Sequence, residues 1–376
     1  MLKGIHLSLL IGPAVPVPAP QAVMDALTSL SVTSAITSSG FQINFAVSKN
    51  SPLLKTMLPA GYFDPMVTRV IIIVSLNGMP NVIMDGIVTH HQFAPSSEPG
   101  QSVLTITGVD LSILMDVVEM PFMRYPNTND VGKIYTILAK YAAFGIVPVA
   151  IPPLFDVPYL AQSRIDCHTG TDLAYIQKLA SDHGYVFYVE PGPAPGSNIA
   201  YFGPDIRIPV PQPALNINMD AHTNVENLSF SYDGLAKKIL VFGVINSETQ
   251  VPVPLPLPNL NIFKPPLGAR LTPPSKVEFP DWSYKDGDQI PRLLDRVLGK
   301  LTQSSDALRV TGSLDVLRYG HILRSRMLVG VRGASLSYDG LYYVNSVTHT
   351  IGRGQYKQSF ELSRDGLISL TPKVPV

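Results

Sequence analysis

Thr68-Arg69-Val70-Ile71-Ile72-Ile73-Val74-Ser75-Leu76 is a β-branched run, and Asn77-Gly78 follows it directly. Branched side chains are stiff at χ1 and fit a pleated, half-buried surface, so the run reads as a strand. Asn and Gly both tolerate positive φ, which a tight two-residue hairpin requires. Asn81 to Phe93 is then the returning strand. Working outward, Ser102 to Gly108 and Phe41 to Val47 alternate apolar and polar residues with period two, as half-buried strands do. Gln21 to Leu30 reads as one short helix, and the first third of the chain is otherwise strand-rich.

The same landmarks recur near the C-terminus. Arg69-Val70-Ile71-Ile72, Asp85-Gly86, Val88-Thr89-His90, Gly100-Gln101 and Asp110-Leu111 appear in that order. Arg326-Met327-Leu328-Val329, Asp339-Gly340, Val347-Thr348-His349, Gly354-Gln355 and Asp365-Gly366-Leu367 repeat the series. The differences in spacing fall at loops, which points to two related β-barrel domains.

Between them the pattern changes. Asn129 or Asp130 is placed to cap a helix through Ile134, Leu138 and Ala142, with Gly145 as its stop. Thr169-Gly170-Thr171-Asp172 gives a T-x-x-D start to a second helix, with Leu173, Ile176 and Leu179-Ala180 on its buried stripe and Gly184 at its end. Tyr185 to Val189 and Ile199 to Gly203 read as a pair of strands. The fold class is therefore mainly β with an α+β insert. The expected boundaries are 1–118 for the first β-barrel domain, 119–215 for the insert and 216–376 for the second barrel, interrupted at 250–305. That interruption begins with Val251-Pro252-Val253-Pro254-Leu255-Pro256-Leu257-Pro258, where every second residue lacks an amide donor. It reads as an extended polyproline-type arm, and Pro291 to Leu301 as an amphipathic helix beyond it.

Composition narrows the function. The 376 residues carry 28 basic and 28 acidic side chains, and only 15% are charged. A neutral chain has no general electrostatic pull on nucleic acid or on an anionic membrane. A surface this poor in charge suits burial against partner subunits. The single cysteine, Cys167, allows no intramolecular disulfide. The N-terminal apolar stretch contains His6 and Ser8 and runs into prolines, so it reads as an edge strand and stiff linker. No apolar run approaches the roughly 20 residues that a membrane helix needs.

Three segments together resemble the phage late control D and VgrG N-terminal family of tail-hub proteins. They are Ile83 to Val88 with Leu104 to Asp110, Thr171 to Tyr188, and Gly340 to His349 with Gln358 to Arg364. The resemblance implies two tube-like β-barrels and a homotrimer that imitates a six-fold ring. It implies a structural baseplate hub that joins the six-fold inner tube to a three-fold spike in a contractile tail or injection system. Partners would be the inner tube protein, a separate spike protein and other baseplate components. The chain would be made in the bacterial cytoplasm and built into a virion or injection particle.

No catalytic, cofactor or metal site is expected. Cys167 and His168 are adjacent on an extended chain and point apart, so one cannot activate the other. His90-His91 also point apart, with no third ligand at a recognisable spacing. His349 matches His90 in the repeat, which suggests a shared structural or subunit-interface role. Asp85-Gly86 and Asp339-Gly340 read as turn residues. Gly352-Arg353-Gly354 opens no helix and fails as a phosphate loop. Some of Ile71, Ile73, Leu341 and Tyr343 are expected to face partner subunits. The alternatives are a secreted hydrolase or effector, which needs a convergent acid, base or nucleophile, and a receptor-binding tail accessory. The latter needs an aromatic platform, yet the single Trp282 lies in a Pro-rich loop.

Overall fold

The computed structural model describes residues 4–13, 15–98, 100–154, 156, 158, 165–207, 210–245, 252–257, 264–278, 299 and 306–370. The chain is mainly β, with little helix. The first region contains β1 (Ile5–Gly12), β2 (Val17–Pro18), β3 (Leu27–Ala35), β4 (Ser39–Val47), β5 (Arg69–Leu76), β6 (Met79–Ala94) and β7 (Ser102–Asp110). Helix α1 (Gln21–Ala26) is shorter than the sequence suggests. From Leu27 the chain becomes strand β3, because it pairs along both edges, with β4 and with a distant strand described below. The Asn-Gly hairpin is as expected: Asn77 and Gly78 have φ of 53° and 82°, and β5 pairs antiparallel with β6.

The insert contains β8 (Arg124–Tyr125), α2 (Asp130–Leu138), β9 (Ile146–Ala150), β10 (Asp166–Cys167), α3 (Asp172–His183), β11 (Val186–Pro191) and β12 (Asn198–Gly203). The α2 start follows its cap in the sequence, whereas α3 is capped two residues later than the T-x-x-D spacing from Thr169 suggests. The Asn129 side chain accepts from the Gly132 amide, and Thr171 accepts from Ala174. Gly145 and Gly184 end the helical segments in the left-handed conformation. The insert has its own core, centred on Ile134, Ile137, Ile176, Phe187 and Phe202.

The remaining elements are β13 (Gln212–Asn216), β14 (Asn227–Tyr232), β15 (Lys238–Ile245), β16 (Pro252–Leu257), β17 (Gly268–Leu271), β18 (Lys276–Glu278), β19 (Leu308–Asp315), α4 (Val316–Tyr319), β20 (Leu328–Arg332), β21 (Gly340–Gly352), β22 (Gln355–Arg364) and β23 (Gly366–Ser369). The expected polyproline arm is corrected over 252–257, which form β16 at the edge of a sheet ordered β16-β15-β18. Prolines at 252, 254 and 256 share one strand parity, so the intervening amides still reach β15 while the missing donors fall on the outer edge. The expected helix from Pro291 to Leu301 lies almost wholly outside the described residues.

The two strand-rich regions share one strand order. The first runs β1-β5-β6-β7-β4-β3, and the second runs β13-β20-β21-β22-β19-β14. They differ in sense at one end: β1 is antiparallel to β5, whereas β13 is parallel to β20. A β-bulge sits at the matching place in each, between Val88 and His90 of β6 and between Val344 and Ser346 of β21. The regions join edge to edge through β3 and β21, forming one sheet of 13 strands. Phe41, Ile43, Phe45 and Val47 of β4 point into a core shared with Val310, Val347 and Phe360 of the second region. Each such side chain contributes roughly 1.5–3 kcal/mol on burial.

Candidate assembly interface

The junction between the two regions is built from both sheet faces. On one face, His349 lies opposite Val32 and Ile351 opposite Leu30, all buried. On the other, Thr348 lies opposite Thr33, and their hydroxyls are 3.1 Å apart. This second face continues across neighbouring strands as Ser31, Gln42, Asn44, Thr105, Thr311 and Ser359, a surface rich in hydroxyls and amides that also carries Arg309, Lys357 and Glu361 on β19 and β22.

Arg326 fastens the junction to the insert. Its backbone has φ 61°, and its guanidinium lies 4.0 Å from the centre of the Tyr188 ring. It donates to the carbonyls of Ala35 and Ile36 and pairs with Glu190 at 3.2 Å. One side chain thus ties the β3–β4 turn, strand β11 and the approach to β20. The repeat placed Arg326 opposite Arg69, but gave no sign of this role, because all its partners are distant in sequence.

Arg69 does different work. It forms a two-pronged ion pair with Asp85 at 2.7 Å on both oxygens, and Asn198 donates to the same carboxylate at 2.8 Å. The turn reading of Asp85 is therefore corrected: it is a buried residue within β6. Gly86 is required there, since a Cβ would lie 2.2 Å from the Val109 carbonyl oxygen. Asp339 does sit in a loop, where its carboxylate accepts from the amides of Gly333, Ala334 and Ser335. Asp110 and Asp365 act alike at the ends of β7 and β22. Asp110 accepts from the amides of Ser39 and Ser112, and Asp365 from those of Leu267 and Gly268.

His90 and His349 do not share a role. His90 is exposed, whereas His349 is buried with its Nδ1 2.7 Å from the Tyr356 hydroxyl. Counted from the bulge, His90 corresponds to Ser346, and Phe93 to His349. Burial holds the His349 pKa down to about 3, and the Arg324 charge acts in the same direction. Ile71 and Tyr343 are buried within the chain, Tyr343 beneath the Arg207 guanidinium at 4.7 Å, so neither faces a partner. Ile73 and Leu341 are half-buried.

Cys167 is exposed on β10 while His168 is buried beside it. The His168 ring stacks on Tyr175 at 4.4 Å, and its Nε2 is 3.0 Å from the Asp172 carboxylate. Burial lowers the His168 pKa, against the pull of Asp172. Gly352-Arg353-Gly354 forms the tight turn between β21 and β22, with Gly354 at φ 75°. Among the described residues no group of three or more His, Cys, Asp or Glu is placed to hold a metal ion, and no helix is long and apolar enough to cross a membrane. Trp282 lies outside the described residues.

Several strand edges of the sheet are unpaired among the described residues, those of β13 and of residues 5–8 of β1 included, and two others resemble the sides of the β3–β21 junction. Among the described residues β14 pairs only with β19, and residues 90–94 of β6 pair only with β7. Phe93 and Tyr232, one at each edge, are both 42% exposed.

No family model and no curated protein matches the sequence. Solved structures do match the fold. A tail protein from Neisseria meningitidis MC58 aligns with a TM-score of 0.62 at 13% identity, over 96% of this chain and 98% of that one. The 43 kDa tail protein of prophage MuSo2 from Shewanella oneidensis gives 0.59 at 11% identity, over 97% and 100%. The VgrG complex with PdpA from Francisella gives 0.59 at 10% identity, over 100% of this chain and 55% of that one. The chain has the fold of phage tail proteins and of VgrG-like components of type VI secretion systems.

Proposed function

Taking that tail-protein fold as the premise, we propose that the chain is a structural baseplate hub and not an enzyme. Three copies form a hollow adaptor between a six-fold inner tube and a separate three-fold spike, within a virion or injection particle. The observation that carries this reading is the shared strand order of β1-β5-β6-β7-β4-β3 and β13-β20-β21-β22-β19-β14. Two like units per chain, over 1–118 and over 216–376 together with β13 from the end of the expected insert, let a trimer offer six similar surfaces on one face and three-fold symmetry on the other. The insert at 119–215 and the interruption at 250–305 break the likeness and supply the three-fold character. The hydroxyl- and amide-rich sheet face suits a channel wall, and the charged side chains it carries on β19 and β22 are paired, Arg309 with Glu361 and Lys357 with Glu226.

The test is mass and shape in solution. Light scattering on the purified chain, alone and mixed with its tube and spike proteins, is expected to give a trimer. Electron microscopy of that species is expected to show a ring with apparent six-fold features. A chain that stays monomeric alone and with both partners would overturn the reading.

A further inference from the structure

The edges at β14 and at residues 90–94 of β6 match the two sides of one junction that the chain makes once within itself. Inside the chain, residues 29–35 of β3 pair antiparallel with residues 346–352 of β21. The shared strand order makes β14 the counterpart of β3, and β6 the counterpart of β21. Aligned on their bulges, residues 90–94 of β6 correspond to residues 346–350 of β21. Strand β14 aligns through its neighbours. Leu30 and Val32 pair with Ile43 and Phe41 of β4, as Leu228 and Phe230 pair with Gly312 and Val310 of β19.

We infer that β14 of one copy pairs antiparallel with residues 90–94 of β6 in the next copy, in the register of the β3–β21 junction. This rests on the trimeric reading above and names the surface that makes it. The register places Phe93 opposite Phe230, His91 opposite Tyr232, Gln92 opposite Ser231 and Ala94 opposite Ser229. His90 falls opposite Asp233, a complementary pair just beyond the end of β14. The apolar side of the contact joins Phe93, Phe230 and Tyr232. The polar side joins Gln92 to Ser231, where the internal junction joins Thr348 to Thr33.

Burial supports the register. At the internal junction the counterparts of Phe93 and Phe230, His349 and Val32, are 4% and 0% exposed. At the open edges Phe93 and Tyr232 each remain 42% exposed. Unpaired strand edges are templates for another strand, and chains that keep a monomeric edge usually guard it with charge or proline. Residues 227–232 contain neither, and Pro95 stands only after the stretch expected to pair. Eight strands lie from β14 through β19, β22, β21, β3, β4 and β7 to β6. Among the described residues the two edges are not paired with each other, and seven strand spacings of roughly 4.8 Å separate them along the sheet.

The experiment is a paired-cysteine crosslink. Gln92→Cys and Ser231→Cys are combined in a Cys167→Ser background and oxidised, with the tube and spike proteins present if the chain needs them to assemble. The expected product is a ladder of covalent dimer and trimer on denaturing gels, absent from either single-cysteine protein and from Gln92→Cys paired with Ser313→Cys. Phe93→Glu is expected to weaken self-association at least tenfold while the melting temperature of the monomer is unchanged. A trimer that forms without the crosslink, or that Phe93→Glu leaves intact, would overturn this pairing and leave the hub reading standing. A chain that never associates would overturn both.

Discussion

Thr33 and Thr348, 315 residues apart, meet hydroxyl to hydroxyl at 3.1 Å across the junction of β3 and β21. The contact marks where two like halves of one chain become a single sheet. It also supplies the pattern for the contact expected between chains. The residues around it are where substitutions are most informative.

Arg326 holds this junction to the insert, and its partners are two backbone carbonyls, Glu190 and the Tyr188 ring. Arg326→Ala is expected to destabilise the chain by about 2–4 kcal/mol, since removing the donor leaves two part-buried carbonyls unsatisfied. Arg326→Lys is expected to recover little, because an ammonium cannot reproduce the planar fork and its stacking. Urea unfolding midpoints check both, and a near-neutral Arg326→Lys would show that charge alone suffices.

The Arg69–Asp85 pair is almost fully buried. Asp85→Ala should cost about 3–5 kcal/mol, because it removes the buried carboxylate that takes both prongs of the guanidinium. Arg69→Met combined with Asp85→Leu should recover a large part of that loss in the same urea titration. A double variant no better than Asp85→Ala would mean that the Asn198 bond to Asp85 matters more than the ion pair.

Gly108 has no room for a side chain. A Cβ there would lie 2.3 Å from both the Ile87 carbonyl oxygen and the Phe41 ring. Gly108→Ala is expected to lower stability by about 1–3 kcal/mol through overpacking. Gly234, with nothing within 4 Å of its would-be Cβ, should accept Ala within roughly 0.5 kcal/mol. Differential melting temperatures of the two variants test the contrast.

His349 predicts an acid-sensitive junction. Its pKa is held down to about 3 in the folded chain, against about 6.5 in an unfolded one. The unfolded state therefore binds the extra proton between these values. The stabilisation is complete above about pH 6.5 and is lost as pH falls toward 3, by up to about 1.4 kcal/mol per pH unit. His349→Gln should show a shallower loss of stability from pH 6.5 to 4 than the parent chain. Parallel curves would assign the acid sensitivity to other groups.

Local structure and the duplication follow from the order of the residues. The Asn77-Gly78 hairpin, the Asn129 cap, the start of α3 beside Asp172 and the glycine stops at 145 and 184 each depend on neighbours within a few residues. The repeated landmarks were legible because they keep their order. Tertiary structure alone decided the rest. Asp85-Gly86 has the chemistry of a turn, yet it stands in a strand because Arg69 neutralises the carboxylate and the Val109 carbonyl excludes a Cβ. His349 matched His90 by letter, but the bulges set the register and sent one into the core and the other to the surface. Strand patterns carry only a period of two, and say nothing about which edge a strand will meet. That choice, made at Thr33 and Thr348, belongs to the packed chain.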